Sequence, residues 1–138
     1  MIGILVVAHG TLAESLVEGV SHILGKHPDA LATLDFSSHA DPDEWQHILQ
    51  AKIAQLQQGQ GVLVMADVYG ATPCNTLCRV LMPEHVEGIT GANLPMLLNA
   101  LNYRDTQTLS QLVERIVNGG RNSINHISET MCNAAKGS

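Results

Sequence analysis

The first sixteen residues constrain the fold more than any other part of the chain. A short apolar run rich in β-branched residues, Ile2 to Val7, is followed by Ala8-His9-Gly10, and a helical pattern opens at Thr11. Such a run suits a strand buried on both faces of a parallel sheet. Thr11 with Glu14 three residues later forms the Thr-x-x-Glu pattern of a capping box. We therefore predict His9 at the carboxyl end of a first strand, where open α/β sheets bind ligands and a helix N-terminus favours an anion.

The rest of the chain repeats the alternation of strands and helices. Further strands are predicted at 31–36, 61–66 and 85–90. One helix is predicted to begin after Asp41 as its N-cap, and another after Thr72 as its N-cap, with Pro73 as its first residue. Two more are predicted, one from about residue 96 after a loop over 91–95, and one over 108–117 that ends at Gly119-Gly120. Residues 121–138 form either a short helix or a strand that completes a partner's sheet. The alternation predicts βαβ units, right-handed crossovers and a parallel sheet. Since neither a linker nor an internal repeat is found, we expect one domain over 1–138.

Charge and composition exclude several classes of protein. Seven basic residues against thirteen acidic ones give a net charge of -6, which argues against a nucleic-acid partner. The apolar runs are far shorter than the ~20 residues of a membrane span. The three cysteines suggest no disulfide framework, so we expect a reducing cytoplasm. The six histidines other than His9 show no metal-ligand spacing, and we expect neither a metal nor a cofactor.

A second polar loop follows the third predicted strand, with the sequence DVYGATP over 67–73. If the first and third strands are neighbours, Asp67 meets His9 at the carboxyl edge of the sheet. A nucleophilic imidazole needs one nitrogen unprotonated, while a carboxylate holds the proton on the other. Asp67 is then expected to fix the tautomer and to stabilise the imidazolium charge. The alternatives are that His9 is a buried structural histidine and that Asp67 caps its own loop.

Two predicted helix N-termini at this edge suggest a site for a phosphoryl group. Gly10, Thr11, Gly70 and Thr72 offer hydroxyls and backbone N–H groups for its oxygens. Neither loop contains a lysine or an arginine, and the chain has no Walker motif, which argues against an NTP hydrolase. The combination fits a carrier that holds phosphate briefly.

Three motifs together resemble the mannose-type IIA component of the bacterial phosphotransferase system. They are AHGTLAESL at 8–16, DVYGATPCN at 67–75 and GANLPMLL at 91–98. The resemblance covers roughly the first hundred residues, with the motifs in the family's order and spacing. It implies that His9 is the phosphorylated residue, that Asp67 is its partner, and that Thr72 is the small hydroxyl residue before proline. It also places Tyr69 and Asn93 in the loops of the site.

The resemblance further implies the fold and the partners. The expected fold is an α/β sheet of four parallel strands in the order 2-1-3-4, with helices on both faces and a fifth, antiparallel C-terminal strand as an option. A homodimer is implied, in which that strand is exchanged between subunits. The implied donor is the phosphocarrier protein HPr, and the implied acceptor is a IIB protein or domain, expected here as a separate protein. Contact with a membrane would then be indirect, through a permease. Tyr69 and Ala71 depart from the family's usual tryptophan and glycine, which weakens an assignment to mannose itself.

Other functions share parts of this pattern. The phosphotransfer subunit of a dihydroxyacetone kinase resembles the same family and would use the same histidine. A tetrapyrrole metal chelatase also begins with a strand ending in His-Gly, and His85 would be its second ligand, although from the wrong end of a strand. A histidine phosphatase needs an arginine where Ala8 stands. A binding module without chemistry is the last alternative. A regulatory phosphocarrier without a permease is a variant of the first interpretation.

Overall fold

The computed structural model describes residues 1–38, 41–68 and 71–137. Strands and helices alternate along most of these residues, as predicted. The strands are β1 (Gly3–Ala8), β2 (Leu31–Asp35), β3 (Val62–Ala66) and β4 (Val86–Ile89). The helices are α1 (Leu12–Leu24), α2 (Pro42–Leu56), α3 (Ala71–Val80), α4 (Leu94–Tyr103), α5 (Leu109–Asn122) and α6 (Glu129–Gly137). A single 3₁₀ turn, Phe36–Ser38, follows β2. In these ranges no helix combines the length and apolar character that crossing a membrane requires.

The four strands form one parallel sheet in the order β2-β1-β3-β4, which confirms the predicted fold class. The register pairs Ala8 with Asp35 and Val7 with Ala66, so the carboxyl ends of the three strands lie side by side. The optional fifth strand is not found in the described part of the chain. The residues after Gly120 instead complete α5 and then form α6.

Apolar side chains alternate between the two faces of the sheet and build two cores. Ile4 and Val6 of β1 face α1, α4 and α5, whereas Leu5 and Val7 face α2 and α3. All six residues of β1 are buried. A central strand covered on both faces needs such an uninterrupted apolar run, which is why β1 could be identified from the sequence.

The N-termini of three helices differ from the prediction, α1 in its capping bond alone and α3 and α4 in the residue at which they begin. Thr11 stands at the N-cap position of α1, but its side chain makes no cap hydrogen bond, so the capping box is not formed. Helix α3 begins at Ala71, which makes Thr72 its second residue instead of its N-cap. Asn93, predicted to lie within a loop, is the N-cap of α4 and its Oδ1 accepts from the N–H of Met96 at 2.9 Å. Asx capping of this kind satisfies a helix N–H that has no partner within the helix.

Helix α5 is not ended by Gly119-Gly120 but continues to Asn122. The two glycines allow α5 to approach α4 closely. A Cβ on Gly120 would lie 2.8 Å from Cγ of Met96, and one on Gly119 would lie 2.8 Å from Nδ2 of Asn99. Tertiary packing therefore outweighs the low helix propensity of glycine at these positions.

Candidate functional site

The carboxyl edge of the sheet brings together three polar residues from neighbouring strands. His9 follows β1, Asp67 follows β3, and Asp35 is the last residue of β2. The parallel register aligns these strand ends, and β1 lies between the other two. His9 is therefore flanked by two carboxylates, that of Asp35 at the end of β2 and that of Asp67 after β3.

His9 and Asp67 make two hydrogen bonds to each other. Nδ1 of His9 lies 2.8 Å from Oδ2 of Asp67, and the backbone N–H of His9 donates to the same oxygen at 2.9 Å. A carboxylate can only accept, so Nδ1 carries the proton and the lone pair of the neutral ring is on Nε2. The side chain of His9 is 54% exposed, whereas that of Asp67 is 9% exposed. The carboxylate is thus held inside the site and the ring is accessible to another molecule.

The environment of Asp67 favours its ionised form. Partial burial raises the pKa of this carboxyl, but hydrogen bonds from the backbone and ring of His9 and from the N–H of Val68, together with the charge of His9, outweigh burial. The net result is a pKa below the ordinary value of an aspartate. Asp67 therefore remains a carboxylate that can accept a hydrogen bond from Nδ1–H and stabilise positive charge on the ring.

Asp35 is a site residue that the sequence did not indicate. Its Oδ1 accepts from the N–H of Gly10 at 2.9 Å and from the N–H and hydroxyl of Ser37 at 2.7 and 2.6 Å. The Ser37 hydroxyl is the largest cause that lowers the pKa of Asp35, followed by the Ser37 N–H. The rule that located His9 and Asp67, a polar residue at the end of an apolar strand, also applies to Asp35 once β2 is known to neighbour β1.

Phe36 was likewise missed, because it was predicted as the last residue of a strand. Its ring lies 5.6 Å from the ring of His9 between centroids, at an interplanar angle of 54°. On its other side Phe36 meets Trp45 of α2, with centroids 5.1 Å apart and an angle of 65°. Phe36 is 7% exposed, so the imidazole lies against a ring that is fixed in the core.

Of the other predicted site residues, some lie at the same edge of the sheet, and the side chains of the others are not described by the structure. Gly10 and Thr11 follow His9 directly, but the N–H of Gly10 already donates to Asp35. Asn93 follows two residues whose N–H groups bond to the carbonyls of Asp67 and Ala66, which keeps this loop at the same edge. Tyr69 and Gly70 lie outside the described residues, and Thr72 is described only as part of the α3 backbone.

The structure does not support a metal site built from His9 and His85. His85 precedes β4, and its carbonyl accepts from the N–H of Val62 at the start of β3. It therefore lies at the amino edge of the sheet, opposite His9. Within the described ranges no three histidine, cysteine, aspartate or glutamate side chains are grouped as a metal ion would require.

This arrangement is suited to nucleophilic chemistry on an anionic group. An exposed imidazole whose Nδ1 proton is held by a carboxylate presents the lone pair of Nε2 to another molecule. The N-termini of α1 and α3 follow β1 and β3 at this edge, and helix N-termini favour a negatively charged ligand.

Comparisons with known proteins agree with the fold and with the family that the three motifs resemble. The family model EIIA-man, described as "PTS system fructose IIA component", matches residues 3–117. The mannose-specific EIIAB component of Escherichia coli (strain K12) is 31% identical over 125 residues, which cover 89% of this chain and 38% of that protein. The chain thus spans well under half the length of that relative.

Two further relatives match along most of their length. The sorbose-specific EIIA component of Lacticaseibacillus casei is 28% identical over 137 residues, covering 96% of both proteins. The crystal structure of a phosphotransferase system component EIIA from Streptococcus agalactiae superposes with a TM-score of 0.78 at 24% identity, over 91% of this chain and 97% of that one. This last likeness supports the fold alone.

Proposed function

Because this chain belongs to the EIIA-man family of phosphotransferase system IIA components, we propose that it is a phosphohistidine carrier with His9 as the phosphorylated residue. In this proposal the phosphoryl donor is phospho-HPr. The acceptor is a IIB protein or domain, or the phosphorylated protein acts as a regulator. Family membership supports a phosphocarrier role in a sugar phosphotransferase system, and the contact between His9 and Asp67 is the observation that carries the assignment to His9.

The proposed reaction is an in-line transfer between two histidine nitrogens. Nε2 of His9 attacks phosphorus, the P–N bond to the donor histidine breaks, and its electron pair stays on the donor nitrogen. The proton on Nδ1 remains in place, 2.8 Å from Asp67. Positive charge develops on the ring as the new N–P bond forms, and the carboxylate of Asp67 stabilises it. Transfer to a IIB acceptor follows the same steps in reverse.

Phosphoryl binding is assigned to the two segments that follow β1 and β3. Thr11 is exposed and its hydroxyl makes no cap bond, so it is suited to donate to a phosphoryl oxygen. Gly70 and Thr72 are assigned to the same role, with Tyr69 in the loop of the site. Gly10 would contribute its N–H only after releasing Asp35. We further propose a cytoplasmic homodimer that reaches a membrane only through a permease.

The test uses phosphoenolpyruvate, enzyme I and HPr, with intact mass as the readout. We expect a gain of about 80 Da, one phosphoryl group, in the wild-type protein. His9→Ala should show no gain, whereas the matched control His85→Ala, which changes a histidine at the opposite edge, should gain it normally. NMR of the phosphorylated protein should place phosphorus on Nε2. The same gain in His9→Ala would overturn the assignment to His9, and no gain in the wild type with active upstream proteins would overturn the carrier function.

The dihydroxyacetone kinase alternative differs only in the acceptor. The phosphorylated wild-type protein can be mixed separately with a IIB protein and with the kinase subunit that would receive the phosphoryl group. Loss of about 80 Da with the kinase subunit alone would favour that alternative.

A further inference from the structure

We propose that Asp35 is a positioning residue for His9, acting through the backbone N–H of Gly10 and the ring of Phe36. This inference rests on the proposed function, since it concerns how the nucleophilic ring is held. Its proposed action on the ring is indirect, whereas Asp67 holds the proton on Nδ1.

Hydrogen bonds fix the carboxylate of Asp35 at the edge of the sheet. It ends β2 directly opposite Ala8, the last residue of β1. Its Oδ1 accepts from both the N–H and the hydroxyl of Ser37, at 2.7 and 2.6 Å. These bonds within one turn hold the oxygen where it also meets the N–H of Gly10, at 2.9 Å. The carboxylate is therefore already oriented when it binds the His9–Gly10 segment.

Two successive backbone N–H groups are thus anchored to carboxylates on opposite sides of β1. The N–H of His9 donates to Asp67 of the β3 side and that of Gly10 donates to Asp35 of the β2 side, both at 2.9 Å. Gly10 has a φ of 60°, in the left-handed region that side chains disfavour. The bond to Asp35 stabilises this turn, which sets the direction in which the backbone leaves His9 toward α1.

The residue after Asp35 acts on the ring itself. Phe36 lies against the imidazole and is held in place by Trp45. Because Asp35 and Phe36 are consecutive, fixing the Asp35 carboxylate also fixes the start of the turn that carries Phe36. The backbone and the ring of His9 are thereby both positioned from the end of β2, while Asp67 holds the proton.

The test uses phosphoramidate, a small phosphoryl donor, so that no protein partner is needed. Asp35→Ala removes the acceptor, whereas Asp35→Asn keeps a carbonyl oxygen in its place. Asp105→Ala is the matched control, because Asp105 is exposed and follows Arg104, which binds carbonyls at the opposite edge. We expect Asp35→Ala to be phosphorylated about tenfold more slowly than Asp105→Ala. Asp35→Asn should recover most of that rate.

NMR of the unphosphorylated proteins provides a readout that a purely structural role would not move. We expect the Gly10 amide resonance to shift in Asp35→Ala. The ¹⁵N shifts of the His9 ring should show more of the tautomer protonated on Nε2. Thermal melts of each variant, taken alongside, establish that the compared proteins are folded.

Several outcomes would overturn the role of Asp35. They are equal rates for Asp35→Ala and Asp105→Ala, unchanged His9 nitrogen shifts, or an Asp35→Asn variant as slow as Asp35→Ala. Failure of the proposed function has a different result, namely a wild-type protein that accepts phosphate from phosphoramidate but not from phospho-HPr. If phosphoramidate leaves even the wild type unmodified, the His9 nitrogen shifts alone decide the role of Asp35.

Discussion

A single carboxylate oxygen of Asp67 binds both the backbone N–H and the ring Nδ1 of His9, at 2.9 and 2.8 Å. The backbone bond fixes where the carboxylate stands relative to the main chain, so the ring bond has a defined direction. Since Asp67 is also mostly buried, Nδ1 of the imidazole faces the protein while the rest of the His9 side chain is largely exposed. In the proposed mechanism this relationship makes Nε2 the nitrogen that reacts.

Replacing Asp67 by asparagine should slow phosphorylation while leaving the protein folded. The amide is neutral, so it cannot stabilise positive charge on the ring, and its NH₂ group can donate to Nδ1 and move the ring proton to Nε2. We expect the single-turnover rate with phospho-HPr to fall by roughly 10²-fold or more. Intact mass against time measures this rate. Asp105→Asn, with the same change of charge at the other edge, should behave as wild type, and equal rates for the two variants would contradict the role of Asp67.

The same contact predicts an acid-dependent stability. Because the pKa of Asp67 is lower in the folded protein than its ordinary value of 3.8, its ionised form stabilises the fold at neutral pH. This contribution to stability is fully present when the pH is above the ordinary pKa of 3.8, and it is lost as the pH falls through the lower pKa of the folded protein. The Tm difference between wild type and Asp67→Asn should therefore be largest near pH 7 and shrink below about pH 4. The pKa of Asp35 is also lowered, but Asp35 is present in both proteins, so its contribution cancels in the Tm difference. A constant difference across this range would contradict the prediction.

Much of the fold could be predicted from local patterns. The apolar strands and the Asp41-Pro42 start of α2 are encoded by a few neighbouring residues, and Asp41 does accept from the N–H of Asp43 at 3.0 Å. The end of α5 could not be predicted, because the close approach of Met96 to Gly120 comes from another helix and is not visible in the local sequence. The strand order came from the resemblance, since local periodicity contains no information on which strands are neighbours.

The site residues also differ in whether the local sequence could predict them. His9 and Asp67 could be placed together because each directly follows a buried strand. Asp35 likewise lies at the end of a strand, but that strand is only half-buried. The 3₁₀ turn that follows it was not predicted, so the position of Asp35 at the strand end was not recognised. Phe36 could be recognised as a support for His9 only from its ring contacts in three dimensions.

Arg104 is expected to be a major contributor to stability. It is 5% exposed, and its guanidinium donates to the carbonyls of Ile2, Ala30 and Asp29 at 3.4, 3.3 and 2.6 Å. Burial lowers the pKa of this group, and the charges of Asp105 and Asp29 oppose that effect. Arg104→Ala would remove this donor from one buried and two partly buried carbonyl contacts, and we expect it to lower the free energy of unfolding by about 3 kcal/mol.

The measurement for Arg104 is urea unfolding of the wild-type protein and three variants. Arg104→Lys keeps the charge but not the planar fork, so it should lie between wild type and Arg104→Ala. Arg115→Ala is a control, because Arg115 is an exposed arginine that lies over the ring of Tyr103, 4.1 Å from its centroid. A loss in Arg104→Ala no larger than that in Arg115→Ala would show that the carbonyl contacts contribute little.

Two glycine-to-alanine changes should differ in their effect on stability, although both add one methyl group in a close contact. A Cβ on Gly3 would lie 2.6 Å from the carbonyl oxygen of Leu56, and one on Gly120 would lie 2.8 Å from Cγ of Met96. The first neighbour is backbone at the end of α2 and cannot move without shifting that helix away from β1. The second is a flexible side chain that can repack, and alanine also favours the helix there by up to about 1 kcal/mol. We expect Gly3→Ala to cost about 2 kcal/mol or more and Gly120→Ala clearly less. Urea unfolding of both variants measures the difference, and a larger loss in Gly120→Ala would mean that the contact of α4 with α5 is the more rigid of the two.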